Sequence, residues 1–229
     1  MLIACWSPKG GSGTTVIACG LAAVLARATS AGALLADLSG DAAAVLGVAE
    51  PTGPGLAEWL TAGPDVAVGA LARLEVEAAS GLRLLAWKPP GPEFRPGPGR
   101  AEALVEALSA DPRPVVADCG RGTAGAGLAL AAGAEISLLV LRPCYLALRR
   151  ALAAPVRPSG VVLVTEVGRS LGRRDVEDVL GVPVRAEVAI EEGVARAVDA
   201  GLLARRIPRT LERALRPLSG TGRAGRDAA

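Results

Sequence analysis

The chain contains no histidine. That excludes His-based nucleophilic triads, imidazole proton shuttles and histidine metal ligands together. Aromatic residues make up only 2% of the sequence, so a core has to be assembled from Leu, Val, Ile and Ala. Cysteine is sparse, and Cys5, Cys19, Cys119 and Cys144 lie far apart in or beside apolar segments. Such spacing suits neither a zinc site nor a disulfide framework, and buried free thiols in a reducing compartment are expected. Long apolar runs are also missing. Ile136–Leu141 is among the longest, whereas a bilayer span needs about 20 residues. Lys9 and its neighbouring glycines interrupt the N-terminal apolar stretch too early for a signal peptide, so a cytoplasmic protein is expected.

Charge of either sign is nearly balanced. A net charge of +2 does not mark a nucleic-acid protein by bulk electrostatics. The positive excess is local, with Arg205, Arg206, Arg209, Arg213 and Arg216 crowded toward the C-terminus. Among 25 Lys and Arg residues only Lys9 and Lys88 are lysines. Lys9 therefore stands out in a chain that otherwise chooses arginine.

Short apolar runs alternate with longer helical patterns. Strands are expected at Leu2–Trp6, Ala33–Asp37, Leu82–Trp87, Pro114–Asp118, Ile136–Leu141, Val161–Thr165 and Val184–Val188. Their nearly continuous apolar character indicates burial on both faces and hence a parallel sheet. Helices are expected at Thr14–Ala28, Leu56–Ala62, Val66–Leu74, Arg100–Ala110, Gly122–Ala132, Leu146–Ala153, Arg174–Leu180, Glu191–Ala200 and Arg209–Leu215. The strand–helix alternation predicts an α/β fold, a doubly wound, mostly parallel sheet flanked by helices on both faces. A length of 229 residues suits one domain, since single domains run to about 250 residues. That domain is expected over residues 1–218, with a disordered tail over 219–229. The Pro- and Gly-dense stretch from Lys88 to Arg100 reads as a loop, either a ligand loop at a strand end or a stiff connector.

Behind the first strand stands Ser7-Pro-Lys-Gly-Gly-Ser-Gly-Thr-Thr-Val16. Glycines between a strand and a helix let consecutive backbone N–H groups turn into one concavity, and the helix N-terminus adds positive potential. Gly10, Gly11 and Gly13 occupy that context, and Thr15 stands where a hydroxyl would meet Mg²⁺. Asp37 and Asp118 each end an apolar strand.

These elements resemble the ParA/MinD family of P-loop ATPases, whose deviant loop reads K-G-G-x-G-K-[ST]. The match is Lys9-Gly10-Gly11-Ser12-Gly13-Thr14-Thr15, which keeps the signature lysine and replaces the second lysine by Thr14. Asp37 matches the Asp ending the family's second strand. Ser39 stands where a second Asp is usual, and Asp41 is a displaced candidate for it. Asp118 matches the Walker B carboxylate, which holds a Mg²⁺-bound water. Leu180–Gly201 resembles the family's late "lG-x-pv … ip-x-d … v-x-x-A-x-x-x-G" pattern. The adenine-contacting Asn is missing, with Thr165 and Glu166 in its place.

The resemblance implies ATP and Mg²⁺ as cofactors, with nucleotide held by Lys9, Gly10, Gly11, Ser12, Gly13, Thr14 and Thr15. Metal would be held by Thr15 and Asp118, with catalytic roles for Lys9 and Asp37. It also implies a nucleotide-linked homodimer in which Lys9 reaches the partner's phosphates. Loss of the second lysine removes charge-assisted hydrogen bonds of roughly 1.5–3 kcal/mol, or about one to two decades in affinity. Hydrolysis should suffer more than binding, since preorganised charge drives phosphoryl transfer.

A replaced P-loop lysine is familiar from the CpaE/TadZ-like branch, localisation factors of Tad-type pilus assembly. That points to a positioning protein with weak or absent hydrolysis, whose partner belongs to the secretion or pilus machinery. The alternatives are an active DNA-partitioning ATPase and a nucleotide-free pseudo-ATPase scaffold. A metabolic enzyme of the wider fold group, of the dethiobiotin or cobyrinate amidation kind, is disfavoured without the lysine. The segment Arg205–Leu218 puts Leu211, Leu215 and Leu218 on one helical face with arginines elsewhere. It suits DNA or a membrane surface less well than packing on the sheet.

Overall fold

The computed structural model describes residues 1–49, 52–63, 66–88 and 94–220. Its centre is an eight-stranded sheet formed by β1 (Leu2–Trp6), β2 (Ala33–Asp37), β3 (Glu75–Ala79), β4 (Leu82–Leu85), β5 (Val115–Asp118), β6 (Ile136–Leu141), β7 (Gly160–Thr165) and β8 (Val184–Ala189). The strand order is β3-β4-β2-β5-β1-β6-β7-β8. Every pairing is parallel except β3 with β4. The doubly wound α/β reading is therefore correct.

Apolar continuity explains the central strands. All residues of β1, β2 and β5 are buried, because helices cover both faces. On one face lie α1 (Thr14–Ala28), α2 (Ala42–Leu46), α8 (Glu192–Asp199) and α9 (Arg209–Leu215). On the other lie α3 (Leu56–Thr61), α4 (Arg100–Ser109), α5 (Gly125–Gly133), α6 (Tyr145–Leu152) and α7 (Arg173–Leu180). Edge strand β8 instead alternates buried and exposed residues, as a half-covered strand does.

Three differences from the sequence reading are instructive. Val68–Leu74 forms a 3-10 helix rather than the α-helix expected over Val66–Leu74. Glu75–Ala79 forms an antiparallel edge strand that was not expected. Helix α5 begins at Gly125, three residues later than expected, because the preceding residues make a turn in which Gly122 N–H bonds Cys119 O at 2.8 Å.

The C-terminal leucines pack inward. Leu211, Leu215 and Leu218 are buried, while Arg209, Arg213 and Arg216 are exposed. Helix α9 sits against α1 at Gly20, where an added Cβ would come within 2.9 Å of Leu215 Cδ1. The apolar face that a membrane helix would need is thus already used. Among the described residues no helix is long and apolar enough to cross a membrane. Ser219 and Gly220, assigned to the tail, close a 3-10 turn over Arg216–Gly220, and residues 221–229 lie outside the described residues. Of the loop expected over Lys88–Arg100, residues 89–93 lie outside them too, and Arg100 is already the first residue of α4.

Candidate phosphate-binding site

Strand β1 delivers the chain to a bend that is tied from beneath. Ser7 N–H bonds Gly120 O at 3.0 Å, joining the loop to the turn after β5. The buried Ser7 hydroxyl donates to Ser12 Oγ at 2.8 Å, and Ser12 Oγ donates to Lys9 O at 3.0 Å. Ser12 therefore turns its side chain inward and offers only its backbone to the outside. Gly11 and Gly13 adopt φ of 75° and 83°, which favour glycine. A Cβ built at Gly10, Gly11 or Gly13 meets nothing within 4 Å, so the bend is open.

The N–H groups of Gly10, Gly11, Ser12, Gly13, Thr14 and Thr15 have no partner among the described residues. No side chain caps α1, and no acidic residue stands in its first turn. A free set of amides at the N-terminus of a fifteen-residue helix makes an anion cradle with about half a positive charge behind it. Thr14 is buried at 8% exposure and makes no side-chain hydrogen bond among the described residues; its hydroxyl is a neutral donor and brings no charge to replace a lysine. The Lys9 ammonium, half-buried at the lip, has no ion pair among them.

Below the cradle two carboxylates meet. Asp37 and Asp118 are register partners on β2 and β5, and both are fully buried. Asp37 Oδ1 accepts from Ser39 N at 2.8 Å and Gly40 N at 2.9 Å, while Oδ2 accepts from Ala42 N at 3.1 Å. Its lone pairs thus shape the turn into α2. Asp118 Oδ1 accepts from Gly120 N at 3.0 Å, and its Oδ2 accepts from Ser39 Oγ at 2.7 Å. Thr15 Oγ1 lies 3.2 Å from Ser39 Oγ. Burial raises both carboxyls above their ordinary pKa against these hydrogen bonds, and Asp37 raises Asp118 further.

Ser39 is the site residue that sequence reasoning left outside the set. Its signal was its place two residues past a strand-ending Asp. Asp41, the displaced candidate, is exposed at the start of α2, with no side-chain hydrogen bond among the described residues, and is not a member of the cluster.

Beside Gly11–Gly13, on the β6–β7–β8 side, opens a cavity of about 290 Å³. Val16, Val164, Val188 and Val194 make it apolar, and Arg142 and Glu191 give it polar edges. Arg142 Nη2 bonds Glu166 Oε2 at 2.6 Å, and Arg169 Nε bonds the same oxygen at 2.8 Å. These two arginines hold Glu166 below the usual carboxylate range. Where the family pattern has an amide, the chain thus has Thr165 and a Glu166 that is ion-paired to Arg142. The chain has no Asn or Gln, so no side-chain amide can read a nucleobase here.

The fit to nucleotide and metal follows from the donors. The open amide cradle suits a polyphosphate, and the apolar cavity suits a flat base. Thr15, Ser39 and Asp118 form an oxygen-only set matched to a hard cation. No group of three His, Cys, Asp or Glu that could hold a metal occurs among the described residues, so Mg²⁺ would need phosphate oxygens and water to complete its shell.

No protein-family model and no curated protein matches the sequence. Solved structures do match the fold. A ParA family ATPase from Chlorobium tepidum TLS aligns with a TM-score of 0.80 at 19% identity, covering 95% of this chain and 96% of that one. The septum site-determining protein MinD of Pyrococcus horikoshii OT3, solved with Mg-ADP, aligns at 0.79 and 19% over 99% and 98% of the two chains. McdA of Cyanothece in its complex with ATP aligns at 0.68 and 17% over 94% and 93%. The chain has the fold of the ParA and MinD ATPases.

Proposed function

We propose that this protein is a ParA/MinD-like nucleotide-binding positioning protein, folded as one domain over residues 1–218. It binds ATP with Mg²⁺, pairs with a second copy around the nucleotide, and hydrolyses it weakly or not at all. The observation that carries this reading is the open cradle of unpartnered amides from Gly10 to Thr15, with no cation at position 14.

In this reading the backbone N–H groups of the loop and the α1 N-terminus hold the phosphates. The Thr15 hydroxyl and Asp118, the latter through water, would hold Mg²⁺, whose positive charge would offset the negative charge of the phosphates. Asp37 fixes the turn that places Ser39 against Asp118. The free Lys9 ammonium serves the partner protomer's nucleotide. With no lysine at position 14 and Ser39 in place of a second carboxylate, the equipment for phosphoryl transfer is thin while that for binding persists. The missing lysine also supports a kinship with the CpaE/TadZ-like branch, with pilus or secretion machinery as the partner that its dimer would recruit.

Calorimetry with ATP–Mg²⁺ and ADP, alongside light scattering and a turnover assay, tests the reading. Binding coupled to dimerisation with feeble turnover supports it. Turnover stimulated by DNA would favour a partition ATPase using the exposed arginines between Arg205 and Arg216. Absence of all nucleotide binding would leave a scaffold.

A further inference from the structure

Arg142 follows β6 directly, and Pro143 behind it restricts its backbone to extended conformations. Its guanidinium is the single cation among the described residues that line the cavity beside Gly11, Ser12 and Gly13. One edge is held by Glu166, whose oxygen it shares with Arg169. Its Nε–H is buried and has no partner among the described residues. A buried guanidinium donor without an acceptor is uncommon, because desolvating it is unfavourable unless something accepts from it.

The sheet order says which part of a ligand could be that acceptor. Asp118 and Thr15, the oxygen donors for metal, lie on the β5 side of β1, whereas Arg142 lies on the β6 side. A polyphosphate laid across the loop with its metal-bound end toward Asp118 has its sugar-proximal end toward Arg142 and the apolar cavity. We propose that Arg142 is a phosphate-binding residue of this site, donating Nε–H to the sugar-proximal phosphate of a nucleotide. It supplies from β6 part of the positive charge that position 14 lacks. Glu166 holds the guanidinium when no nucleotide is present and keeps Arg169 as a partner when Arg142 turns to the ligand.

The inference rests on the nucleotide reading above, and it assigns Arg142 to grip rather than to hydrolysis. A cation at the sugar-proximal phosphate contributes equally to mono-, di- and triphosphates. It does little for charge developing at the far end of the chain.

The test is calorimetry of the full chain with AMP, ADP and ATP–Mg²⁺, with melting curves as the fold control. For Arg142→Ala the expected result is about a tenfold or greater loss of affinity, the same factor for all three ligands. Arg142→Lys should recover only part of it, because an ammonium has no donor in the Nε position. Glu166→Ala leaves Arg142 intact and removes its holding contact without setting an amide where the family pattern has its base-contacting Asn, so it should tighten ADP binding about two- to fivefold. This variant decides the matter if the arginine variants fail to fold. Wild-type affinity retained in Arg142→Ala, a loss confined to ATP, or unchanged or weaker ADP binding in Glu166→Ala each overturns the role of Arg142 alone. No binding by the wild-type chain overturns the nucleotide reading itself, and this proposal with it.

Discussion

The Ser39 hydroxyl donates to Asp118 Oδ2 across 2.7 Å. Ser39 comes from the turn after β2 and Asp118 from the end of β5, so one hydrogen bond closes the floor of the site between two neighbouring strands. Neither Asp118 nor Asp37 has a salt-bridge partner among the described residues. Both stay buried on hydrogen bonds alone, in a place where a divalent cation would relieve them.

Removing that hydroxyl should destabilise the ligand-free protein. Ser39→Ala deletes a hydrogen bond to a buried carboxylate, and a loss of about 1–3 kcal/mol is expected at pH 7 by denaturant titration. The hydrogen bond favours the ionised form of Asp118, so the loss should shrink when the titration is repeated near pH 4. An effect that does not change with pH would mean that Ser39 matters only for packing.

Asp118→Asn should act in the opposite direction on stability. Burial raises the pKa of Asp118 in the native state, so the folded chain takes up a proton before the unfolded chain does as pH falls from neutrality. The ionised carboxylate therefore destabilises the fold most at neutral pH. That penalty fades as pH falls through the raised folded-state pKa toward the ordinary value of about 3.9. The Asn variant should melt above wild type at pH 7, its advantage should narrow toward pH 4.5, and Mg²⁺-dependent nucleotide binding should weaken. Melting below wild type at pH 7 would contradict this.

The sequence was most legible where burial is two-sided. Strands β1, β2 and β6 fall where unbroken apolar runs put them, and α1 and α9 have the bounds their patterns predict. Strand β3 was hidden because Glu75 and Glu77 interrupt it. Those charges suit an edge, and Glu75 is held by Arg113 in two hydrogen bonds of 2.9 and 2.7 Å. No period in the sequence carries that long-range pairing. Helix α2 was hidden by its brevity; five residues present too little of a period to read, and Asp37, by accepting from Ala42 N–H, helps to start it. The Ser39 contact and the Arg142–Glu166 pair depend on strand order, which spacing along a chain does not encode.

The C-terminal helix offers a test of structure against membrane docking. Leu215 is fully buried between α9 and α1, so Leu215→Ala should lower stability by about 2–5 kcal/mol in denaturant titrations. A membrane-docking helix would instead show little change in stability and a loss of binding to anionic vesicles.

Restoring the absent charge is the most direct probe of how the site came to work. Thr14 is the first residue of α1, and its side chain is buried and makes no hydrogen bond among the described residues, so its replacement breaks none of the hydrogen bonds that hold the loop there. Thr14→Lys places an ammonium beside the amide cradle, and a gain of about 1.5–3 kcal/mol in nucleotide binding follows from charge-assisted hydrogen bonds. That corresponds to roughly a ten- to hundredfold tighter dissociation constant by calorimetry. Turnover should rise by a smaller factor, because Ser39 still occupies the place of a second carboxylate and the chain has no Gln to orient a water. Combining Thr14→Lys with Ser39→Asp should then raise turnover beyond either change alone. If Thr14→Lys leaves affinity unchanged, the cradle does not hold phosphate where the loop geometry places it.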